Sequence, residues 1–117
     1  MSTVQSIATA ILGAIPELRG KVMVGMPPAE AGDCPLVSIA QPSTEPVFAK
    51  NGIAGYITSI DIYLIDSSKN NAEQTKHRLI KAIVGIEIEN NHLYFDSLKS
   101  TSLSGGRFQT KLSFQLS

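Results

Sequence analysis

The chain has 117 residues, 43% hydrophobic and 17% charged, and its ten basic and ten acidic residues cancel. This length fits one domain over residues 1–117, and an apolar composition with zero net charge excludes a disordered chain. The sequence has no overall basic excess for binding nucleic acid through net charge, which leaves only a local basic patch for such binding. No apolar run reaches the roughly 18 residues of a membrane span, and the first turns lack the Lys or Arg of a signal peptide. One cysteine, Cys34, allows no internal disulfide, so we expect a soluble protein of a reducing compartment.

The first half of the chain begins with an amphipathic helix over residues 4–18, whose apolar residues recur at spacings of three and four. Ser2 and Gln5 have the spacing of a capping box, and Pro16 is expected to end the regular helix early. A short β-branched strand at 21–26 stops at Pro27 and Pro28, because neither proline can donate to a ladder. A loop over 29–35 and a strand over 36–41 follow.

Residues 42–55 contain two prolines, two glycines and scattered polar residues, which predicts a long loop. A connection of about a dozen residues is longer than a usual hairpin loop and is typically functional or mobile.

The strongest predicted strand covers 56–65, and a second helix covers 72–84. Its cap is one of Asp66, Ser67 and Ser68 or one of Asn70 and Asn71. Short strands at 86–89 and 92–97 are joined through Asn90–Asn91, and 98–103 continues extended. A turn at 104–106 leads to a last strand, 107–116, whose apolar and polar residues alternate cleanly.

Two helices separated by runs of strands indicate an α+β fold, a mostly antiparallel sheet with both helices packed on one face. On the other face of strand 56–65, Ile57, Tyr63 and Ile65 would then be exposed to solvent. Such a half-apolar face suggests a partner surface. The alternative is that loop 42–55 or another strand folds over it.

Residue types that carry chemistry do not form a recognisable set. His77 is expected on the exposed side of the second helix and His92 in a turn, with no metal-ligand spacing between them. Cys34 precedes a proline in a loop, and a half-buried thiol is favoured over a nucleophile because no base lies nearby in sequence. The sequence therefore predicts no catalytic, cofactor or metal site and no enzymatic activity.

Two sets of charged residues stand out. Asp61 lies on the central strand and Lys76 near the apolar arc of the second helix. Either both charges reach water, which we favour, or both belong to an intersubunit or interior ion pair. Lys99, Arg107 and Lys111 make a modest basic stripe, but aromatic residues for stacking bases are missing from that side.

The order of these elements resembles the small tail-completion proteins of long-tailed bacteriophages and prophages, the tail terminator (phage lambda U-like) group and its minor tail relatives. The resemblance covers most of the chain. It includes the N-terminal helix, the strand before Pro27–Pro28, the phrase Cys34-Pro35-Leu36-Val37-Ser38-Ile39, the strand ending Asp61-Ile62-Tyr63-Leu64-Ile65, the helix beginning near Asn71-Ala72-Glu73, and the closing strand from Phe108 to Leu116.

This resemblance implies a structural role in the virion tail, with assembly in the cytoplasm of the host bacterium. Such proteins form a homohexameric ring that ends tube growth, contacts the tail tube and head-completion proteins, and lets DNA pass through its channel. A ring that passes DNA often lines its channel with charge, yet this sequence has no clear cluster of one sign. The alternatives are another head–tail joining protein or, less favoured, a small nucleic-acid-binding module.

The resemblance transfers no contact residue, so the predicted subunit interface comes from the sequence itself. Apolar side chains set among polar ones are what a ring of separately folded subunits needs. The candidates are the loop residues Phe48, Lys50 and Ile53 and the outer-face residues Ile57, Tyr63 and Ile65.

Overall fold

The computed structural model describes residues 3–25, 35–103 and 105–116. The first half holds helix α1 (Thr3–Ala14), a 3₁₀ turn (Pro16–Leu18) and the strands β1 (Val22–Val24), β2 (Leu36–Ile39), β3 (Ser43–Ala49) and β4 (Gly52–Asp66). The second half holds helix α2 (Lys69–Ile83) and the strands β5 (Glu87–Ile88), β6 (Asn91–Leu103) and β7 (Arg107–Leu116). The predicted α+β class is confirmed.

One seven-stranded sheet organises the molecule, in the order β1-β2-β4-β7-β6-β5, with β3 pairing to β4. Every pair is antiparallel except β1–β2, which is parallel. Strand β4 is central because β2 and β3 follow one another along one of its edges while β7 occupies the other. The strand predicted at 56–65 is present, and it is longer than predicted by four residues at its start and one at its end.

Both helices pack on one side of the sheet, which we call the inner face. Helix α1 buries Val4, Ile7 and Ile11, and α2 buries Ala72, Leu79 and Ile83. The sheet contributes the alternate residues Ile60, Ile62, Leu64, Leu112 and Phe114, all fully buried. Each such side chain stabilises the fold by about 1.5–3 kcal/mol relative to exposure. The alternation predicted for β4 and β7 is thus realised.

The helix ends follow from local chemistry. Helix α1 stops at Ala14, and Pro16 starts the tighter 3₁₀ turn, as expected for a residue that blocks the α-helical bond pattern. Helix α2 begins three residues before its predicted start, because the Ser68 hydroxyl caps it by accepting a hydrogen bond from the Asn71 amide at 3.3 Å.

The prediction of a long loop over 42–55 was wrong. Strand β3 and the beginning of β4 form a hairpin there, joined by a two-residue turn at Lys50 and Asn51. Gly52 closes this turn with φ of 117°, a conformation that favours glycine. Pro46 is compatible with a strand here because β3 pairs on one side only among the described residues.

The face opposite the helices, the outer face, is closed at one end. Ile65 was predicted to be exposed to solvent but is only 2% exposed. Ser38 and Arg107 on the same face are also buried. The Ser38 hydroxyl donates a hydrogen bond to the Gly25 carbonyl. The expectation for Ile65 was wrong because strand alternation gives the face of a residue but not what covers that face.

Three smaller differences concern element bounds. Strand β1 is described to Val24 rather than to residue 26. The turn between β5 and β6 places Glu89 and Asn90 at positive φ, one position earlier than predicted, and the two extended segments at 92–103 form the single strand β6. Ser2, the prolines 27 and 28, Cys34 and Ser104 lie outside the described residues.

Candidate subunit interface

Residues 43–57, comprising β3, the turn and the start of β4, form a protruding two-stranded ribbon that we call the β-arm. The described pairing of β7 with β4 begins only at Thr58, which lies opposite Leu116. Beyond that point β4 has β3 as its single described neighbour. All side chains of β3 are exposed. A two-stranded hairpin alone is at best marginally stable in water, so this ribbon lacks the support that the rest of the sheet has.

The β-arm carries an unusual number of large apolar side chains in water. Phe48 is 72% exposed, Tyr56 66% and Ile53 55%, and Val47 and Ile57 are also exposed. Phe48 and Ile53 lie directly opposite each other near the tip. Single exposed apolar residues are ordinary, but a contiguous group on one projecting element marks an interaction surface.

The local geometry of the β-arm bends it. Val47 pairs with Gly55 and Phe48 with Ile53, so Ala54 is an extra, bulged residue in β4. Bulges increase twist and redirect side chains. At the base, the Thr44 and Thr58 hydroxyls lie 3.0 Å apart across the strands and share a hydrogen bond. The base is therefore fastened to the sheet while the apolar residues lie beyond it.

The structure brings together four of the six residues predicted for the interface. Phe48, Ile53 and Ile57 lie on the β-arm, and Lys50 is in its turn. Tyr63 is half-buried farther along the outer face, and the buried Ile65 has no surface to offer a partner. The interface candidates therefore reduce to the β-arm, with Tyr63 set apart from it.

Sequence reasoning missed Val47 and Tyr56 as members of this surface. The signal was present: Asn51–Gly52 is a hairpin dipeptide, and the β-branched and aromatic residues on both sides favour strands. The prolines and glycines of the segment led instead to the prediction of a loop. The exposure of the arm on both sides also removed the polar–apolar alternation expected of a half-buried hairpin.

A second exposed apolar patch lies on β6, at the opposite edge of the sheet. Phe95 is 36% exposed and Leu98 41%, and both share the inner face because they pair with Phe114 and Leu112. Phe95 also meets the buried Phe114 ring edge-on, with 5.7 Å between ring centroids. Residues 94–102 of β6 are all exposed, and among the described strands β5 covers only the beginning of its other edge, at Asn91 and His92.

Charged residues on the outer face are engaged locally. Asp61 accepts a hydrogen bond from the Ser113 hydroxyl at 2.7 Å, and the Lys111 ammonium lies 3.8 Å from its other oxygen. Lys76 instead binds Glu73 at 2.7 Å, which lowers the pKa of Glu73. Within the chain, Asp61 and Lys76 therefore have different partners and do not form an interior ion pair with each other.

The predicted basic stripe is interrupted. Arg107 is buried, so only Lys99 and Lys111 remain accessible, and they lie directly opposite each other on β6 and β7. Like charges in this position are mutually destabilising. Lys111 has Asp61 as a partner, whereas the residue paired with Lys99 across the strands is another cation.

The remaining titratable residues are dispersed. His77 and His92 are exposed and lie 4.0 and 3.7 Å from Glu73 and Glu87. Over residues 3–25, 35–103 and 105–116, no group of three or more His, Cys, Asp and Glu side chains is placed to share a metal ion. A shallow cleft of about 160 Å³ between the start of α2 and strands β6 and β7 is lined partly by Lys69, Glu73 and Ser100. In this described part, no helix is both long and apolar enough to cross a membrane.

Comparison with known proteins identifies a structural likeness. No family model and no curated protein matches the sequence. Among solved structures, a chain from the virion of native gene transfer agent (GTA) particle matches with a TM-score of 0.64 and 17% sequence identity. The match covers 98% of this chain and 96% of that chain. At this identity the likeness establishes a common fold over nearly the full length.

Proposed function

We propose that this chain is a structural protein of a phage-like virion and, more narrowly, that it forms a ring that ends the tail tube and joins it to the head. The fold likeness to a chain of the gene transfer agent virion supports the wider statement, because it spans almost all of both chains. The narrower statement rests on the sequence resemblance to tail terminators.

The observation that carries this proposal is the exposed apolar β-arm. A ring subunit must fold alone and then bind its neighbours, so it needs apolar surface outside its own core. Phe48, Ile53 and Tyr56 provide that surface, and each is more than half exposed in the isolated chain. The core on the inner face is complete without them. We therefore assign the β-arm to contacts between subunits or with the tube.

The experiment is capping of growing tail tubes by the purified chain. Added to polymerising tube protein from the same particle, the chain should halt elongation and be visible as a ring at one tube end by electron microscopy. Binding to isolated head connectors without any effect on tubes would instead favour a head-completion role. Binding to neither would contradict the proposal.

A control separates the β-arm from general surface hydrophobicity. Val84 is 45% exposed at the end of α2, away from the β-arm. Val84→Ser should cap tubes as the unchanged chain does, whereas Phe48→Ser combined with Ile53→Ser should not. Equal capping by both variants would show that the apolar residues of the β-arm are not needed for capping.

A further inference from the structure

We propose that the β-arm of one copy lies antiparallel along β6 of the next copy, with Glu45 opposite Lys99 and Phe48 opposite Phe95. This inference rests on the proposed function, because it names the contact by which the ring would form. It commits to a second copy of this chain as the occupant of the β-arm.

Strand direction makes this pairing possible. The strands β3, β4, β7 and β6 are successive antiparallel neighbours, so β3 and β6 run in opposite directions. Two copies placed side by side in the same orientation therefore bring β6 of one against β3 of the other as an antiparallel pair. The contact is head-to-tail, the type that closes into a ring when the rotation allows. Antiparallel pairs are the slightly more stable kind.

Charge selects the register. Glu45 lies on the outer face of β3, since it pairs with Ile57, and Lys99 lies on the same face of β6, since it pairs with Lys111. Lys99 faces a cation inside its own chain, so a carboxylate on its free side relieves that repulsion. Glu45 is the one charged residue of β3.

The same register satisfies the inner face. With Glu45 opposite Lys99, Pro46 lies opposite Leu98 and Thr44 opposite Ser100. Asp96 is an extra residue in β6, between the pairs that Phe95 and Ser97 make with β7. Skipping this bulge places Phe48 opposite Phe95. This single alignment therefore pairs Glu45 with Lys99, Phe48 with Phe95, and Pro46 with the exposed Leu98.

Closure geometry agrees with this alignment. Within one copy, Glu45 pairs with Ile57 of β4, and Lys99 pairs with Lys111, which in turn pairs with Tyr63 of β4. Placing Glu45 of one copy opposite Lys99 of the next therefore brings Ile57 of one β4 to the height of Tyr63 of the other. Neighbouring copies are thus offset by six residues along the strands. At about 3.3 Å per residue and about 4.8 Å between strands, six residues over four strands tilt the strands by roughly 45°. Closed β-barrels have tilts of about 35–45°.

Pro46 limits how much the backbone contributes. It has no N–H, so the pairing lacks one main-chain hydrogen bond, and prolines on edge strands discourage indiscriminate association. Side chains must then supply much of the affinity. The contact should accordingly depend on the identity of Glu45 and Phe48, not only on strand shape.

Cysteine cross-linking between separately made variants tests the contact directly. In a Cys34→Ser background, a Glu45→Cys chain is mixed with a Lys99→Cys chain under mild oxidation. We expect a disulfide-linked dimer that neither variant forms alone, and a ladder of covalent oligomers from a chain with both changes. Disulfides require Cα atoms within about 7 Å. Glu45→Cys mixed with Lys81→Cys, which places the second thiol on exposed α2, should give no dimer.

A charge exchange provides the second measurement. Glu45→Lys should weaken self-association about fivefold, and adding Lys99→Glu should restore it. If the unchanged chain forms oligomers by mass but the cysteine pair does not link, the proposed contact is wrong while the ring function stands. If the chain is a monomer throughout and nothing links, both are contradicted. A dimer from Glu45→Cys alone would also overturn the head-to-tail contact.

Discussion

Phe114 and Phe95 belong to one edge-to-face ring pair but differ in burial. Phe114 is fully buried under the helices, whereas Phe95 is 36% exposed. A core residue and a partly exposed residue therefore meet across this pair, and mutation can separate their contributions to stability.

We predict that Phe114→Ala costs about 3–5 kcal/mol of unfolding free energy, because it leaves a cavity in a closed core. Phe95→Ala should cost only about 1 kcal/mol, since it removes part of a ring contact near the surface. Urea unfolding of the two variants at low protein concentration measures both. Equal losses would show that Phe95 is a core residue in the folded chain.

The Glu17–Arg78 ion pair gives a pH prediction. The Arg78 guanidinium lies 2.6 Å from the Glu17 carboxylate and lowers the pKa of Glu17 below 4.5 by hydrogen bonding. A lowered folded pKa contributes stability above the unfolded pKa, and that stability is lost as pH falls through the folded value. Both side chains are well exposed, so the effect is small.

Glu17→Gln should therefore lower the melting temperature slightly at pH 7 and leave it unchanged at a pH well below 4.5. Calorimetry of the variant and the unchanged chain at both pH values measures this. Glu89→Gln, at an exposed carboxylate in the turn between β5 and β6, is the control for loss of charge alone. An undiminished difference at low pH would contradict the assignment to this pair.

At the scale of elements, the cap of α2 is the most direct test of local structure. Ser68→Ala removes the side-chain acceptor of the Asn71 amide and should cost about 1 kcal/mol. Ser67→Ala is the matched control, because the contact that Ser67 makes with Asp66 uses its backbone amide. Denaturant unfolding of the two variants decides, and equal effects would contradict the assigned cap.

The elements also show which parts of the fold can be predicted from the sequence. Strand β7 has the predicted bounds, Arg107 to Leu116, because one of its faces is buried along its length and alternation reports that directly. The two helices were predictable for the same reason. Ile65 was not, since its burial depends on what covers the outer face.

The β-arm was the largest failure of prediction, and its cause is physical. Sequence periodicity records burial within the chain, and the β-arm is buried by nothing in its own described chain. Prolines and glycines then dominate the pattern and resemble a loop. Phe48 and Ile53 were still identified as interface candidates, because apolar residues in a polar segment are informative even when the element is misassigned.

At the scale of the whole molecule, the β-arm sets the shape. The molecule extends 50 × 28 × 21 Å along its principal axes. Strand β4, with 15 residues, spans roughly 50 Å by itself at about 3.3 Å per residue. The helices and the core occupy one end of this strand, and exposed apolar residues occupy the other. A folded body with an exposed apolar projection is suited to assembly.

Self-association measured by sedimentation velocity over a range of concentrations tests this account most directly. The unchanged chain and Val84→Ser should shift together from monomer to a closed oligomer of fixed size as concentration rises. The combined Phe48→Ser and Ile53→Ser variant should remain a folded monomer over the same range, with an unchanged melting temperature. Association of that variant equal to that of the unchanged chain would contradict the claim that the β-arm joins the subunits.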